Sequence, residues 1–194
     1  VKIATLSGAG TLQDNGISVT AGQFVSLADI NAGKLVFTPA ANGNGAGYAT
    51  FTFQVQDDGG TANAGVDLDT SARTMTVNVT SVNDAPVGTN NTVTTLEDTA
   101  YTFTAADFGF TDPIDAASVA GTNALTAVKI TTLPGAGTLQ DNGINVTAGQ
   151  FVSLADINAG KLVFTPAANA NGAAYASFTF RVQDDGGTAN GGVD

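Results

Sequence analysis

Tyr48-Ala49-Thr50-Phe51-Thr52-Phe53-Gln54-Val55-Gln56 decides the fold of this chain. Tyr48, Thr50, Thr52 and Gln54 alternate with Ala49, Phe51, Phe53 and Val55, and a period of two puts each set on one face of an extended strand. One face is core and the other meets solvent. Downstream, Asp57-Asp58-Gly59-Gly60 breaks the strand, a polar Gly-bearing loop runs to about Ser71, and alternation resumes over Arg73 to Val82. Upstream, small residues from Ala40 to Gly47 make a loop, and Pro39 stops a strand over Lys34 to Thr38. Ser26 to Gly33 reads as one helical turn, capped by Ser26 and left through Gly33. Before it, Thr11-Leu12-Gln13 and Ile17-Ser18-Val19 flank Asp14-Asn15-Gly16 as a hairpin, and residues 1 to 6 alternate as a strand closed by the turn Ser7 to Gly10.

The same text returns. Residues 1–67 recur as 128–194, an offset of 127, with eight differences in 67 positions. Drift this small over a domain-sized period marks an excerpt of about one and a half units from a tandem array. Ser81-Val82-Asn83-Asp84-Ala85-Pro86 is the joint, dividing 1–84, the latter two-thirds of one repeat, from 85–194, a repeat without its last strand. In the second module strands are expected at Thr92 to Thr95, Tyr101 to Thr104 and Leu125 to Leu133, with a helical turn at Ala105 to Phe108. Short alternating strands between turns, without a long amphipathic helix, predict an all-β fold of tandem Ig-like, cadherin-like antiparallel sandwiches. With neither module whole in this window, open sheet edges are expected, either exposed or completed by pairing with other copies of the chain.

Composition narrows the function. Apolar residues make up 43% and include eleven Phe, enough to drive folding. Six basic against 17 acidic residues give a net charge of −11, which opposes nucleic acid and anionic lipid and favours cations. Without Cys or His there is no disulfide, no thiolate metal site and no histidine base, so carboxylate and carbonyl oxygen remain, a donor set suited to calcium. No apolar run reaches the ~20 residues of a membrane span, so membrane insertion is not expected. Catalysis is not expected either: paired carboxylates that cleave glycosides sit in aromatic clefts, and this chain has no Trp and three Tyr.

Val82-Asn83-Asp84-Ala85-Pro86, Leu96-Glu97-Asp98-Thr99, Phe110-Thr111-Asp112-Pro113-Ile114-Asp115 and Val55-Gln56-Asp57-Asp58-Gly59-Gly60 together resemble the bacterial cadherin-like tandem repeats of giant secreted adhesins. The stretch from Ile3 to Leu35 is similar to the related chondroitin-sulfate-proteoglycan-type repeat. The resemblance implies a stalk module of an extracellular, bacterial surface protein, with Ca2+ at the joints between neighbouring repeats. In cadherins a linker of the form Asp-x-Asn-Asp-x-x-Pro supplies joint ligands. Here Asn83 and Asp84 are kept, a proline follows at 86, and Ser81 stands in place of the first Asp.

Calcium takes six to eight oxygens, so a site needs acidic residues from several loops. The candidate ligands are Asn83, Asp84 and Glu97 at the joint, the strand-ending pairs Asp57, Asp58 and Asp184, Asp185, the loop pair Asp112 and Asp115, and, ranked slightly below these, Asp67 and Asp69. For each, the competing reading is a capped turn whose carboxylate accepts backbone N–H bonds. Asp14, Asp141, Asp29 and Asp156 have sufficient local roles in hairpin or helical turns and are left out. The alternative function is a module that binds surface glycan or protein through its end loops, or a fibre subunit completed by strands of other chains.

Overall fold

The structure is a computed structural model describing residues 1–194, the side chain of Ser7 excepted. The chain forms two compact units, Val1–Ser81 and Val82–Asp194. The division places Asn83 and Asp84 at the start of the second unit.

The first unit contains β1 (Lys2–Gly8), β2 (Thr11–Asp14), β3 (Ile17–Ser18), α1 (Leu27–Asn31), β4 (Leu35–Thr38), β5 (Gly45–Gln54) and β6 (Arg73–Val79). One sheet has the order β1-β5-β6 and the other β3-β2-β4, and every pairing is antiparallel. Asn15 and Gly16 take φ of 50° and 79° in the hairpin turn, as the Asp-Asn-Gly text requires. The Ser26 hydroxyl accepts the Asp29 N–H at 3.0 Å and caps α1, while Asp29 pairs with Lys34 at 2.9 Å. The hydroxyl and the ammonium hold the Asp29 carboxyl below its ordinary pKa. Ile3, Leu12, Val19 and Val25 are buried between the sheets, with Phe51 and Phe53 of β5 packed on them. The alternation sorts the faces from Ala49 to Phe53: Phe51 and Phe53 point inward, and Thr52 meets Thr5 on the outer face, hydroxyl to hydroxyl at 2.6 Å, whereas Val55, expected on the core face, lies past the end of β5 and is exposed.

The second unit contains β7 (Tyr101–Thr102), β8 (Leu125–Thr132), β9 (Thr138–Asp141), β10 (Ile144–Asn145), β11 (Phe151–Ser153), α2 (Leu154–Asn158), β12 (Leu162–Thr165) and β13 (Thr179–Asp184). Its sheets have the orders β10-β9-β12-β7 and β11-β8-β13, again antiparallel. The core between them is larger: Phe103, Phe108, Val128, Ile130, Leu139, Val146, Val152, Ile157, Leu162 and Val182 are buried together. Phe103 and Phe108 come from the stretch 85–127, and the first unit holds no copy of that stretch. Phe103 meets Phe178 edge-on at 5.4 Å and Phe108 meets Phe180 at 5.0 Å, so these rings cap the β13 face of the core.

Two expectations are corrected. Thr92 to Thr95 joins no ladder: the Asn91 carboxamide oxygen takes the Thr92 N–H at 2.8 Å and the Thr95 hydroxyl turns to the Thr99 carbonyl at 3.0 Å, so local side-chain bonds replace strand pairing. The loop expected over Ala40 to Gly47 ends early, because β5 begins at Gly45 and crosses a bulge to pair Gly45 with Val79. In both units the tyrosine after that loop clamps it, Tyr48 Oη accepting the Ala40 N–H at 3.1 Å and Tyr175 Oη the Ala167 N–H at 3.2 Å. No helix is long and apolar enough to cross a membrane.

Leu35 and Leu162 occupy the same repeat position, yet Leu162 is fully buried and Leu35 only half-buried. Leu162→Ala is expected to cost about 2–5 kcal/mol of second-unit stability and Leu35→Ala about 1–2 kcal/mol of the first, since the transfer and cavity costs scale with the burial lost. Urea unfolding of the two variants measures the difference.

Candidate functional site

The four residues Val-Gln-Asp-Asp close β13 in the second unit and follow the end of β5 in the first, and Gly-Gly comes next in both. The turn itself is local: Asp57 Oδ1 accepts the Gly59 N–H at 2.9 Å and Asp184 Oδ1 the Gly186 N–H at 3.0 Å. Their surroundings differ. Asp57 is exposed, whereas Asp184 is 2% exposed. Around Asp184 three other stretches of the second unit converge: the joint at 83–84, the loop at 112–115 and the loop at 123–124.

Asn83 is the hub. Its Nδ2 donates to Asp184 Oδ1 at 3.0 Å and to the Val193 carbonyl at 2.7 Å, and its Oδ1 accepts from Asn123 Nδ2. The Val193 N–H returns to the Asn83 carbonyl at 3.0 Å. Gly186 lies so close that a Cβ there would overlap the side chains of Asn83 and Asn123, so a larger residue would displace them. Asp115 Oδ2 accepts the Asp84 N–H at 2.8 Å and Asn123 Nδ2 at 3.3 Å. Asp112 Oδ2 accepts the Asn123 N–H at 2.7 Å, and Asp185 Oδ1 the Ala124 N–H at 2.7 Å.

Asp112, Asp115 and Asp184 are therefore 5%, 2% and 2% exposed at one end of the second unit. The ion pairs of the described residues are Lys34–Asp29, Arg73–Asp69 and Lys161–Asp156, and none reaches this cluster. Asp112 Oδ1 and Asp184 Oδ2 are buried with no hydrogen-bond partner. A buried polar atom left unmade costs about 1–3 kcal/mol, and more when the group is charged. Among the described residues no three acidic side chains form a group that could hold a metal ion by themselves. The donors at this end are a mixture of carboxylate, carboxamide and main-chain oxygens, which suits a hard cation.

The other candidates lie elsewhere. Glu97 accepts Asn171 Nδ2 at 2.7 Å and Asp98 the Asn169 N–H at 2.8 Å, which ties the 96–99 turn to the 169–171 loop and away from Asn83. Asp67 accepts Gln56 Nε2 at 2.9 Å, and Asp69 pairs with Arg73 at 3.1 Å, both in the first unit with Asp57 and the exposed Asp58. Asn123 is absent from the sequence candidates, although its amide touches Asn83 and Asp115 and its N–H touches Asp112. Nothing in Gly121-Thr122-Asn123 distinguishes it from an ordinary loop asparagine.

A second kind of orphan repeats at the hairpins, where Asp14 Oδ1 and Asp141 Oδ1 are buried without partners. Burial raises the Asp141 pKa, the Asp156 carboxylate adds to the rise and Lys161 partly offsets it. A carboxyl raised on folding favours the folded state fully only while protonated, below its unfolded pKa, and that contribution is lost as pH rises through the folded value. Asp141→Asn is accordingly expected to raise the second unit's melting temperature at about pH 7 and to leave it unchanged near pH 3, as thermal unfolding at the two values would show.

A family model described as bacterial Ig domain matches residues 83–194, starting at the hub asparagine and running to the end of the second unit. No curated protein and no solved structure matches the chain. Two antiparallel sheets closed over one apolar core are the architecture such a match implies, and with more than half of its length matched, the chain belongs to the bacterial Ig domain family.

Proposed function

We propose that this chain is a non-catalytic spacer of a large bacterial surface or secreted adhesin, its Ig-like units repeated in tandem in the cadherin-like manner, with calcium bound at the Asn83 end of the second unit. The observation that carries the calcium reading is the pair of buried, unpartnered oxygens, Asp112 Oδ1 and Asp184 Oδ2, among carboxylates that no basic side chain neutralises. Asp112 and Asp184 would offer the ion their unpartnered oxygens, with Asn83 supplying an amide oxygen. The ion would supply positive charge where three buried carboxylates otherwise repel, tying the joint residues 83–84 to the loops at 112–115 and 184–185. The ion would thus hold the loops at this end of the second unit in one arrangement, which suits a stalk module. Near-identity of the two repeats supports the spacer reading, because a spacer needs copies more than it needs variety.

The alternative, a glycan- or protein-binding module, has one feature in its favour. Phe24 and Phe151 stand 53% and 50% exposed at equivalent positions, each with a lysine over its ring, at 5.9 and 5.0 Å.

Extracellular calcium modules bind at roughly 0.1–1 mM, so a tenfold excess of ion contributes about 1.4 kcal/mol and raises the second unit's melting temperature by a few degrees. Titration calorimetry with parallel thermal unfolding should show binding heat and this shift with calcium, neither with magnesium, and neither in the Asp112→Asn, Asp184→Asn variant. In chelator the same variant should be at least as stable as the parent, since it removes two buried charges. Absence of heat and shift up to about 10 mM calcium would leave an ion-free spacer held by its amide network.

A further inference from the structure

The side-chain oxygen of Asn83, the one that would serve an ion, is already in use: Asn123 Nδ2 donates to it, and the same NH2 group donates to Asp115 Oδ2 at 3.3 Å. A carboxamide NH2 has two hydrogens, so both are spent at this end of the second unit. The Asn123 main chain adds a third bond, from its N–H to Asp112 Oδ2 at 2.7 Å. One neutral residue therefore covers an oxygen each of Asn83, Asp112 and Asp115, while Asp112 Oδ1 and Asp184 Oδ2 stay bare. Asn83 is held in its orientation from the other side, because its own NH2 donates to Asp184 Oδ1 at 3.0 Å and to the Val193 carbonyl at 2.7 Å. The Asn123 amide has no such anchor. Among the described residues its carbonyl oxygen accepts no hydrogen bond, and only the two NH2 bonds set which way it faces.

Resting on the calcium reading above, we infer that Asn123 is a further ligand of that site, its NH2 standing in for the ion until a cation enters and its carboxamide then turning over. The reason is electrostatic. A cation drawn to the Asn83 oxygen meets the positive end of the Asn123 NH2 group, which is aimed at the same oxygen. Half a turn about the last side-chain bond replaces NH2 by a carbonyl oxygen of nearly the same size, so repulsion becomes a ligand contact. Gly186 backs both amides so closely that a Cβ there would overlap them, and turning in place is the motion that displaces no neighbour. Calcium, which takes six to eight oxygens, gains a neutral one by the exchange. In the ion-free end the two N–H dipoles partly offset the repulsion among carboxylates that no basic side chain neutralises.

Side-chain amide NMR of the isotope-labelled whole chain, run beside calcium calorimetry, tests this. Without calcium the NH2 groups of Asn83 and Asn123 should both exchange slowly with water. Saturating calcium should speed exchange at Asn123 roughly tenfold or more, while Asn83 stays protected. Asn123→Asp presents an oxygen whichever way it faces and adds a charge, so it should bind calcium roughly tenfold tighter. Having lost both donors, it should also melt below the parent in chelator. Binding heat with the Asn123 NH2 unchanged, or an Asn123→Asp chain that binds no tighter than the parent, would overturn this inference and leave the calcium reading standing. Equal loss of protection at both amides would overturn it too, as a general loosening of the loops. No heat up to about 10 mM calcium would sink both readings together.

Discussion

Covering the apolar inner faces of two small sheets is the constraint on which each unit depends. Strands this short supply few ladder bonds, so the sheets persist only because Ile3, Val25, Ile130 or Leu162 have somewhere to go. In the second unit the stretch before β8 delivers Phe103 and Phe108 onto Phe178 and Phe180, and burial becomes complete over ten residues. In the first unit the same β-strand text closes over four. Identical side chains therefore hold different energies according to what the rest of the chain lays over them.

The same covering sets the electrostatics. Asp57 and Asp184 make the same turn with the same bond to a glycine N–H, but only Asp184 is taken out of water, by Asn83 and by the loops that carry Asp112, Asp115 and Asn123. Carboxylate burial in a chain of net charge −11 is unfavourable wherever it occurs. Its concentration at one end, beside the joint, is the strongest sign that this end is more than a folded loop. Membership of the bacterial Ig family agrees with the sandwich fold of the second unit.

Local chemistry is legible in the amino-acid sequence. The alternation at 48–56, the Asp-Asn-Gly hairpin with its two left-handed residues, and the Ser26 cap with its Ser153 copy all depend on neighbours within a few positions. Features that depend on distant partners are not legible in this way. Glu97, expected at the joint with Asn83, meets Asn171 instead, because the 96–99 turn packs on the far loop, a fact that no spacing between 83 and 97 encodes. Asn123 carries no mark of its role until the fold sets it against Asp112. Likewise 172–177 carry almost the text of a strand and are not one, since strand text becomes a strand only when a neighbour offers its hydrogen bonds.

The near-identity of the two repeats has a consequence for how such a chain reaches its native state. Two near-identical acceptor strands compete for β6 as soon as the polypeptide collapses, and the three residues that define the register are the same in both. Tandem domains of high mutual identity are prone to misassembly of this kind, in which a strand docks on the wrong repeat. The native pairing has the shorter loop to close, about 20 residues from β5 against about 100 from β13, and loop closure grows costlier only logarithmically with length. Order of emergence from the ribosome then matters as much as sequence: β5 and β6 leave together and can pair before the second acceptor has been synthesised.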